Sequence, residues 1–395
     1  MQTRSRRVFA LQLAMLFWGI LLVFANPSLA GAVPQVVVSR VPDRGVQPQI
    51  AMSGDGVLHL IYLKGDPSHS DIFYVRSPDN GGTWSHPVRV NSQPGSALAI
   101  GTVRGAHLAL GRGGQIHVAW MGSNLSTPKA PGDATPMLYS RSTDDGKSFE
   151  PQRNVIQSSP GLDGGGSIAA DQNGHVYVAW HAPAPGKKGE QFRRVWISKS
   201  MDGGATFAPE VAVSEPSTGA CGCCGMRLFA VGGRVIALYR GAAQQVHRGM
   251  YLIDCSSDLK ESHSTEIAPM EFGVCVMSTS ALAQNGGGAV AAWETRGRVF
   301  WSQLSSDAPT IVHPHEIDSR SSTCKHPAIA ADGEGHLLVV WTEETGWNKG
   351  GTIAWEVFDS TGTVLPGATG RAADLPTWDS PAAIWCSNKT LLVLY

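Results

Sequence analysis

Apolar residues in this chain come in short runs separated by stretches rich in Gly, Asp and Ser, and the runs keep a regular beat. Those at residues 58–62, 116–120, 176–180, 235–239, 289–293, 337–341 and 391–395 all end in Trp or Tyr. The closing aromatics, Tyr62, Trp120, Trp180, Tyr239, Trp293, Trp341 and Tyr395, are 58, 60, 59, 54, 48 and 54 residues apart. Runs this short, rich in β-branched and aromatic residues and bounded by turn formers, read as strands. No stretch after residue 30 carries a long apolar stripe at helical spacing. A unit of strands and turns that recurs at this period buries its apolar face only against its neighbours. The pattern predicts an all-β propeller with one blade per repeat.

A second periodicity reinforces the first. The octapeptides Ser77-Pro-Asp79-Asn-Gly81-Gly-Thr83-Trp84, Ser142-Thr-Asp144-Asp-Gly146-Lys-Ser148-Phe149 and Ser200-Met-Asp202-Gly-Gly204-Ala-Thr206-Phe207 share the form Ser-x-Asp-x-Gly-x-Thr/Ser-aromatic. Their aspartates are 65 and 58 residues apart, and each octapeptide lies between two apolar runs. The physical reading is a hairpin turn. Gly supplies backbone freedom, the Asp and Ser/Thr oxygens bond turn amides, and the aromatic covers the apolar side. These aspartates are expected to be structural.

On these residues the chain resembles the sialidase-like family of Asp-box, or BNR-repeat, propellers. The resemblance spans residues 31–395 as one domain, with three intact Asp-boxes and remnants at Asp254-Cys-Ser-Ser-Asp258 and Asp359-Ser-Thr-Gly362. Within that family it is most similar to exported bacterial proteins that share a Cys-x-Cys-Cys segment. Sialidases have six blades, whereas seven aromatic-ended runs are visible here. The expected fold is therefore six full blades plus a partial seventh, closed by an N-terminal strand at residues 35–41, with a six-bladed ring as the alternative.

The leader changes the picture of where the protein works. Arg4, Arg6 and Arg7 precede an apolar stretch from residue 8 to 25, and Ser28-Leu-Ala30 offers small residues for cleavage. Residues 1–30 are read as a signal peptide, and an uncleaved leader is the one route to a membrane. Ser5-Arg6-Arg7-Val8-Phe9 is similar to the twin-arginine signal, so export to the periplasm or beyond is expected. Of 31 basic residues three are leader arginines, which leaves 28 against 32 acidic ones. With no basic run after the leader, the balance argues against nucleic acid as a partner.

The resemblance implies that Asp-box turns lie opposite a functional mouth. That mouth is built from the loop leading into each blade's innermost strand and from the loop between its second and third strands. The lead-in loops offer Arg44, Arg104, Asp163, Cys221, Cys223, Cys224, Cys275, Cys324, His326, Trp378 and Asp379. The other loops offer Glu190, Arg240, His247, Arg248, Glu294, Arg296 and Trp347, among others. Sialidase chemistry, as the resemblance implies it, uses three arginines on a carboxylate, a Tyr nucleophile with its Glu, and an acid Asp. Arg44, Arg104 and one of Arg240, Arg248 or Arg296 are the candidate trio, and Asp163 the candidate acid. Arg44-Gly-Val-Gln-Pro48 departs from the Arg-Ile-Pro motif, and no Tyr stands in a late lead-in loop.

The remaining binding candidates are His247, Glu294 and Asp379. The ligand expected from this set is an anionic glycan or a similar molecule, bound and in one reading hydrolysed. Seven cysteines are an odd number for an exported chain. Cys221, Cys223, Cys224, Cys275, Cys324 and His326 form a thiolate-rich set that suits copper(I) or zinc, with disulfides across the mouth as the competing reading. A non-catalytic interaction scaffold is the third reading.

Overall fold

A computed structural model describes residues 34–305 and 309–395; the expected leader lies outside the described residues. The described residues form six sheets of four antiparallel strands and one of three. The innermost strands are Val46–Met52, His107–Leu110, Gly166–Ala170, Arg227–Val231, Ser280–Asn285, Cys324–Ala331 and Ala382–Trp385, and they line a central channel of about 720 Å³. Each is followed by the strand formed by one of the periodic apolar runs: Leu58–Asp66, Ile116–Met121, Val176–Pro183, Arg234–Arg240, Gly288–Thr295, Leu337–Glu343 and Leu391–Leu394, six of them running past the closing aromatic and the last stopping just before Tyr395. The molecule is an all-β propeller.

Period-two alternation sends neighbouring side chains of a strand into different inter-blade cores. On Leu58–Asp66, Leu58, Leu60 and Tyr62 pack with Leu392 and Leu394 of the last blade. Ile61 and Leu63 of the same strand pack with Ile116 and Val118 of the second blade. Seven such cores, one per pair of adjacent blades, run round the ring. A buried aliphatic side chain stabilises by about 1.5–3 kcal/mol, so these cores rather than the turns hold the ring.

The ring has seven blades, which corrects the expectation of six with a remnant. The last sheet has three strands yet fills a whole place. Its inner strand Ala382–Trp385 packs between Cys324–Ala331 and Val46–Met52, with an apolar core on each side. The N-terminal strand Val36–Ser39 supplies its outer edge and runs parallel to Leu391–Leu394, Val36 opposite Leu391. Parallel pairing follows from the path of the chain. This strand must finish at the end of the ring where Val46–Met52 begins, and Leu391–Leu394 runs toward that same end.

The octapeptides join third to fourth strands, and all three make the same bonds. In the first, Ser77 Oγ donates to Asp79 Oδ1 (2.7 Å), the Thr83 amide to Oδ1 (2.8 Å) and the Thr83 hydroxyl to Oδ2 (2.8 Å). Asp144 and Asp202 repeat the pattern. These bonds hold all three carboxyls down to about 2. Each turn also clips onto the preceding blade. Phe149 meets Tyr74 edge-on at 5.5 Å and Phe207 meets Tyr139 at 4.9 Å. Gly146 and Gly204, at φ 77° and 78°, sit where a Cβ would overlap those tyrosine rings.

Candidate functional site

At the end opposite the Asp-boxes, the lead-in loops and the second-to-third-strand connections form a mouth. A cavity of about 280 Å³ opens there, lined by Arg104, Cys223, Cys275, Met277, His326 and Trp347, with Lys325, Thr345 and Trp378 completing the wall. The backbone is bent to present these side chains. Met277, His326 and Trp378 have φ of 52°, 49° and 63°, and Gln47, which donates to the Trp378 carbonyl (2.8 Å), has 54°. Left-handed non-glycine residues are costly, and three of them, Met277, His326 and Trp378, line this one cavity. The inner strands also shift register between Val46 and Gln49 and between Lys325 and Ala328, which turns Gln47 and His326 out of the regular ladder.

One wall is aromatic and cationic. Trp347, 42% exposed, meets Trp378 at 6.5 Å and 65°, and the Arg104 guanidinium lies 5.9 Å from a Trp347 ring. Gly101, at φ 72°, allows this approach, since a Cβ there would crowd both Trp347 and Arg104. Arg104 has no carboxylate partner among the described residues. The buried Trp378 Nε1 and His326 Nδ1 lack hydrogen-bond partners.

The opposite wall is sulfur. The Cys275 thiol donates to Cys223 Sγ at 3.0 Å, and the Cys221 thiol stands next to Cys223 and Cys224. All are free thiols. The neighbouring Cys221 thiol, joined by the bond from Cys275 and by nearby Arg104, pulls Cys223 down to about 6 against the effect of burial. Cys224 falls to about 7, first through Cys221 and then through Arg240. Cys221 is pushed up by its neighbours Cys223 and Cys224, and burial pushes Cys275 up to about 12. The Glu190 carboxylate lies beside Cys223 and Cys275, with ligating atoms within 4.8 Å of one another. Its oxygens are held by Arg193 (3.0 Å) and Arg248 (2.6 Å).

Beneath the cavity, Arg227 crosses the channel. Its Nη1 donates to Gln49 Oε1 (2.7 Å) and to His107 Nδ1 (2.8 Å), on the first and second blades. Burial, then the guanidinium itself, holds His107 far below the usual imidazole range, so it accepts as a neutral ring. Burial pushes Arg227 down to about 10.

Of the sequence candidates, Arg104, Cys223, Cys275 and His326 meet at this cavity, with Cys221 and Cys224 directly behind. The others do not, for identifiable reasons. Arg240 and Glu294 form a buried pair at 2.9 Å, each side chain 2% exposed, so neither faces a ligand. Arg248 is taken by Glu190, and His247 is held between Glu266 (2.7 Å) and Glu271 (2.9 Å). Asp163 pairs with Arg193 instead of standing as an acid. Arg44 and Arg296 are exposed and do not line the cavity.

Asp379 is buried, accepting from the Gln47 amide (2.6 Å) and Arg40 (3.3 Å). Cys324 is removed from the thiol set. It lies in the core between the fifth and sixth blades and donates to the Ser321 carbonyl at 3.6 Å. In the sequence, the signal for the aromatic wall is Trp347 and Trp378, two bulky apolar residues standing in otherwise polar mouth loops.

No family model matches the chain, and no curated protein matches it in sequence. Among solved structures it is similar to a protein of unknown function from Dyadobacter fermentans, with a TM-score of 0.53 and 18% identity over 82% of this chain and 97% of that one. The α-L-arabinanase of Penicillium chrysogenum, solved with arabinobiose, matches at a TM-score of 0.53 and 15% identity over 84% and 98%. The NanB sialidase of Streptococcus pneumoniae matches at 0.52 and 9% over 87% and 70%. At these identities the similarity is one of fold: the chain shares the propeller architecture found in sialidases and arabinanases.

Proposed function

We propose that the mouth binds an anionic carbohydrate without cleaving it by the sialidase route. The observation that carries this is the pairing of Trp347 and Trp378 with Arg104 and Lys325 around one 280 Å³ cavity. Indole faces stack on the C–H faces of a sugar ring, while a guanidinium and an ammonium take its carboxylate or sulfate. The sugar-acting enzymes among the similar structures support a carbohydrate as the ligand class. Cleavage needs an acid and a base or nucleophile within reach of the bond. Among the described residues lining the cavity there is no Asp, Glu or Tyr.

Calorimetry against matched neutral and uronate- or sialate-bearing oligosaccharides tests the reading. Trp347→Ala and Trp378→Ala should each weaken binding at least about tenfold, the scale of losing a buried aromatic contact. Arg104→Ala should abolish the preference for the charged member. Equal binding of neutral and charged sugars would overturn the anionic assignment. Turnover of a fluorogenic sialoside that is lost in Arg104→Ala would overturn the non-catalytic one. We further propose export through the leader with Arg4, Arg6 and Arg7; cell fractionation, with and without the two adjacent arginines, decides it.

A further inference from the structure

We propose that Cys223 and Cys275, backed by Cys221, form a binding site for a thiophilic monovalent cation, copper(I), in the wall of the mouth cavity. Two chain segments that lead into different blades bring the sulfurs together. The turn Cys221–Cys224, closed by the Cys224 amide on the Cys221 carbonyl (3.2 Å), precedes the fourth blade, and Cys275 precedes the fifth. Cys223 and Cys275 are half-buried and face the cavity, so an ion has a way in, while Cys221 and Cys224 are buried behind them.

Guanidinium groups stand close to the pair: Arg104 lines the same cavity, and Arg248 is held at 2.6 Å on Glu190, whose carboxylate lies beside Cys223 and Cys275. Thiolates bound to a single monovalent ion remain net negative, and Arg104, which has no carboxylate partner among the described residues and lines the same cavity, offsets that charge. Ligand number then selects the metal. Zinc asks for four ligands, and Glu190, the oxygen donor nearest Cys223 and Cys275, has both oxygens committed to Arg193 and Arg248. Two or three sulfurs in a pocket suit copper(I), the soft ion of this series.

Metal–sulfur bonds of about 2.3 Å place the sulfurs of a trigonal site about 4 Å apart. Cys223 and Cys275, now at 3.0 Å, must part by about 1 Å, within reach of a side-chain rotation. The other cluster of ligating groups, Asp332, Glu334 and His336, is a turn. Asp332 accepts from the Glu334 and His336 amides as Asp171 does from those of Asn173 and His175 in the third blade.

The test is anaerobic titration of the reduced protein with copper(I) against a chromophoric copper(I) chelator, read also by thiolate-to-copper absorption. One ion per chain is expected. Cys223→Ser and Cys275→Ser should each weaken retention at least about 100-fold, more than loss of an outer-shell partner costs. Cys255→Ser and Cys386→Ser, whose sulfurs lie in inter-blade cores, should bind as wild type. Thermal melts of each apo variant confirm folding, and Trp347→Ala, which weakens sugar binding, should keep copper, so the two sites fail separately. Retention unchanged in the Cys223→Ser/Cys275→Ser double variant would overturn the proposal. So would displacement of copper(I) by equimolar zinc, or reduced protein that takes up no copper and only closes Cys223–Cys275 to a disulfide on reoxidation.

Discussion

At the scale of single residues, the Asp-box does two jobs with eight positions. Asp144 and Asp202 tie their own turns, while Gly146 and Gly204 make room for a tyrosine from the neighbouring blade. Gly146→Ala or Gly204→Ala should therefore destabilise by about 2–4 kcal/mol, the sum of a left-handed penalty and an overpacked ring, measurable by denaturant unfolding. A change within experimental error would mean that the clip is not under load. The three depressed carboxyls also fix a pH dependence. They titrate at about 2 in the folded protein and near 3.8 when free, so their stabilisation is complete above about pH 4 and lost as pH falls toward 2. The melting temperature should drop across that window, and less steeply in Asp144→Ala; parallel curves would count against the assignment. These residues were readable in the sequence because the same eight-residue sentence is written three times. The pairings of Arg240 with Glu294 and of Arg248 with Glu190 were not, because each joins side chains 54 or 58 positions apart and no local spacing encodes them.

At the scale of elements, the lead-in loops carry the site and the N-terminal strand carries closure. Deleting residues 34–40 removes the edge strand of the last blade and should lower the melting temperature and broaden the transition. An unchanged, equally sharp melt would show that the strand is dispensable. Asp379 links the two ends of the ring through the Gln47 amide and Arg40, and burial pushes it up to about 6. A folded-state value above the free value of 3.8 means that native protein holds an extra proton between them, so this group's contribution falls as pH rises from about 4 to 6. The melting temperature of Asp379→Asn relative to wild type should thus improve from pH 4 to pH 7, and a constant difference would refute it. The lead-in loops offer Cys223 and Cys275 together but also Cys324. The inner strand that begins at Cys324 shifts register after Lys325, and a one-residue slip exchanges the face a side chain meets. His326 is thereby brought to the cavity and Cys324 is left in a core.

At the scale of the molecule, the ring of seven equivalent cores was legible as a period of apolar runs, since each repeat must bury itself against the next. Whether the last repeat is a fragment or a full place depends on a strand from the other end of the chain, and no periodicity within the last repeat records that partner. The shape of the mouth follows from one side chain that belongs to none of the repeats' shared patterns. Arg227 reaches from the fourth blade to Gln49 and His107 on the first and second, a bar laid across the top of the channel. The mouth is for that reason a well with a floor, not the rim of a tunnel. On the proposed function, a polymer arriving there would be read at its tip or at a bend and not threaded. Affinity for oligosaccharides should climb over the first few units and then level off; a steady climb with length would show that the bar swings aside.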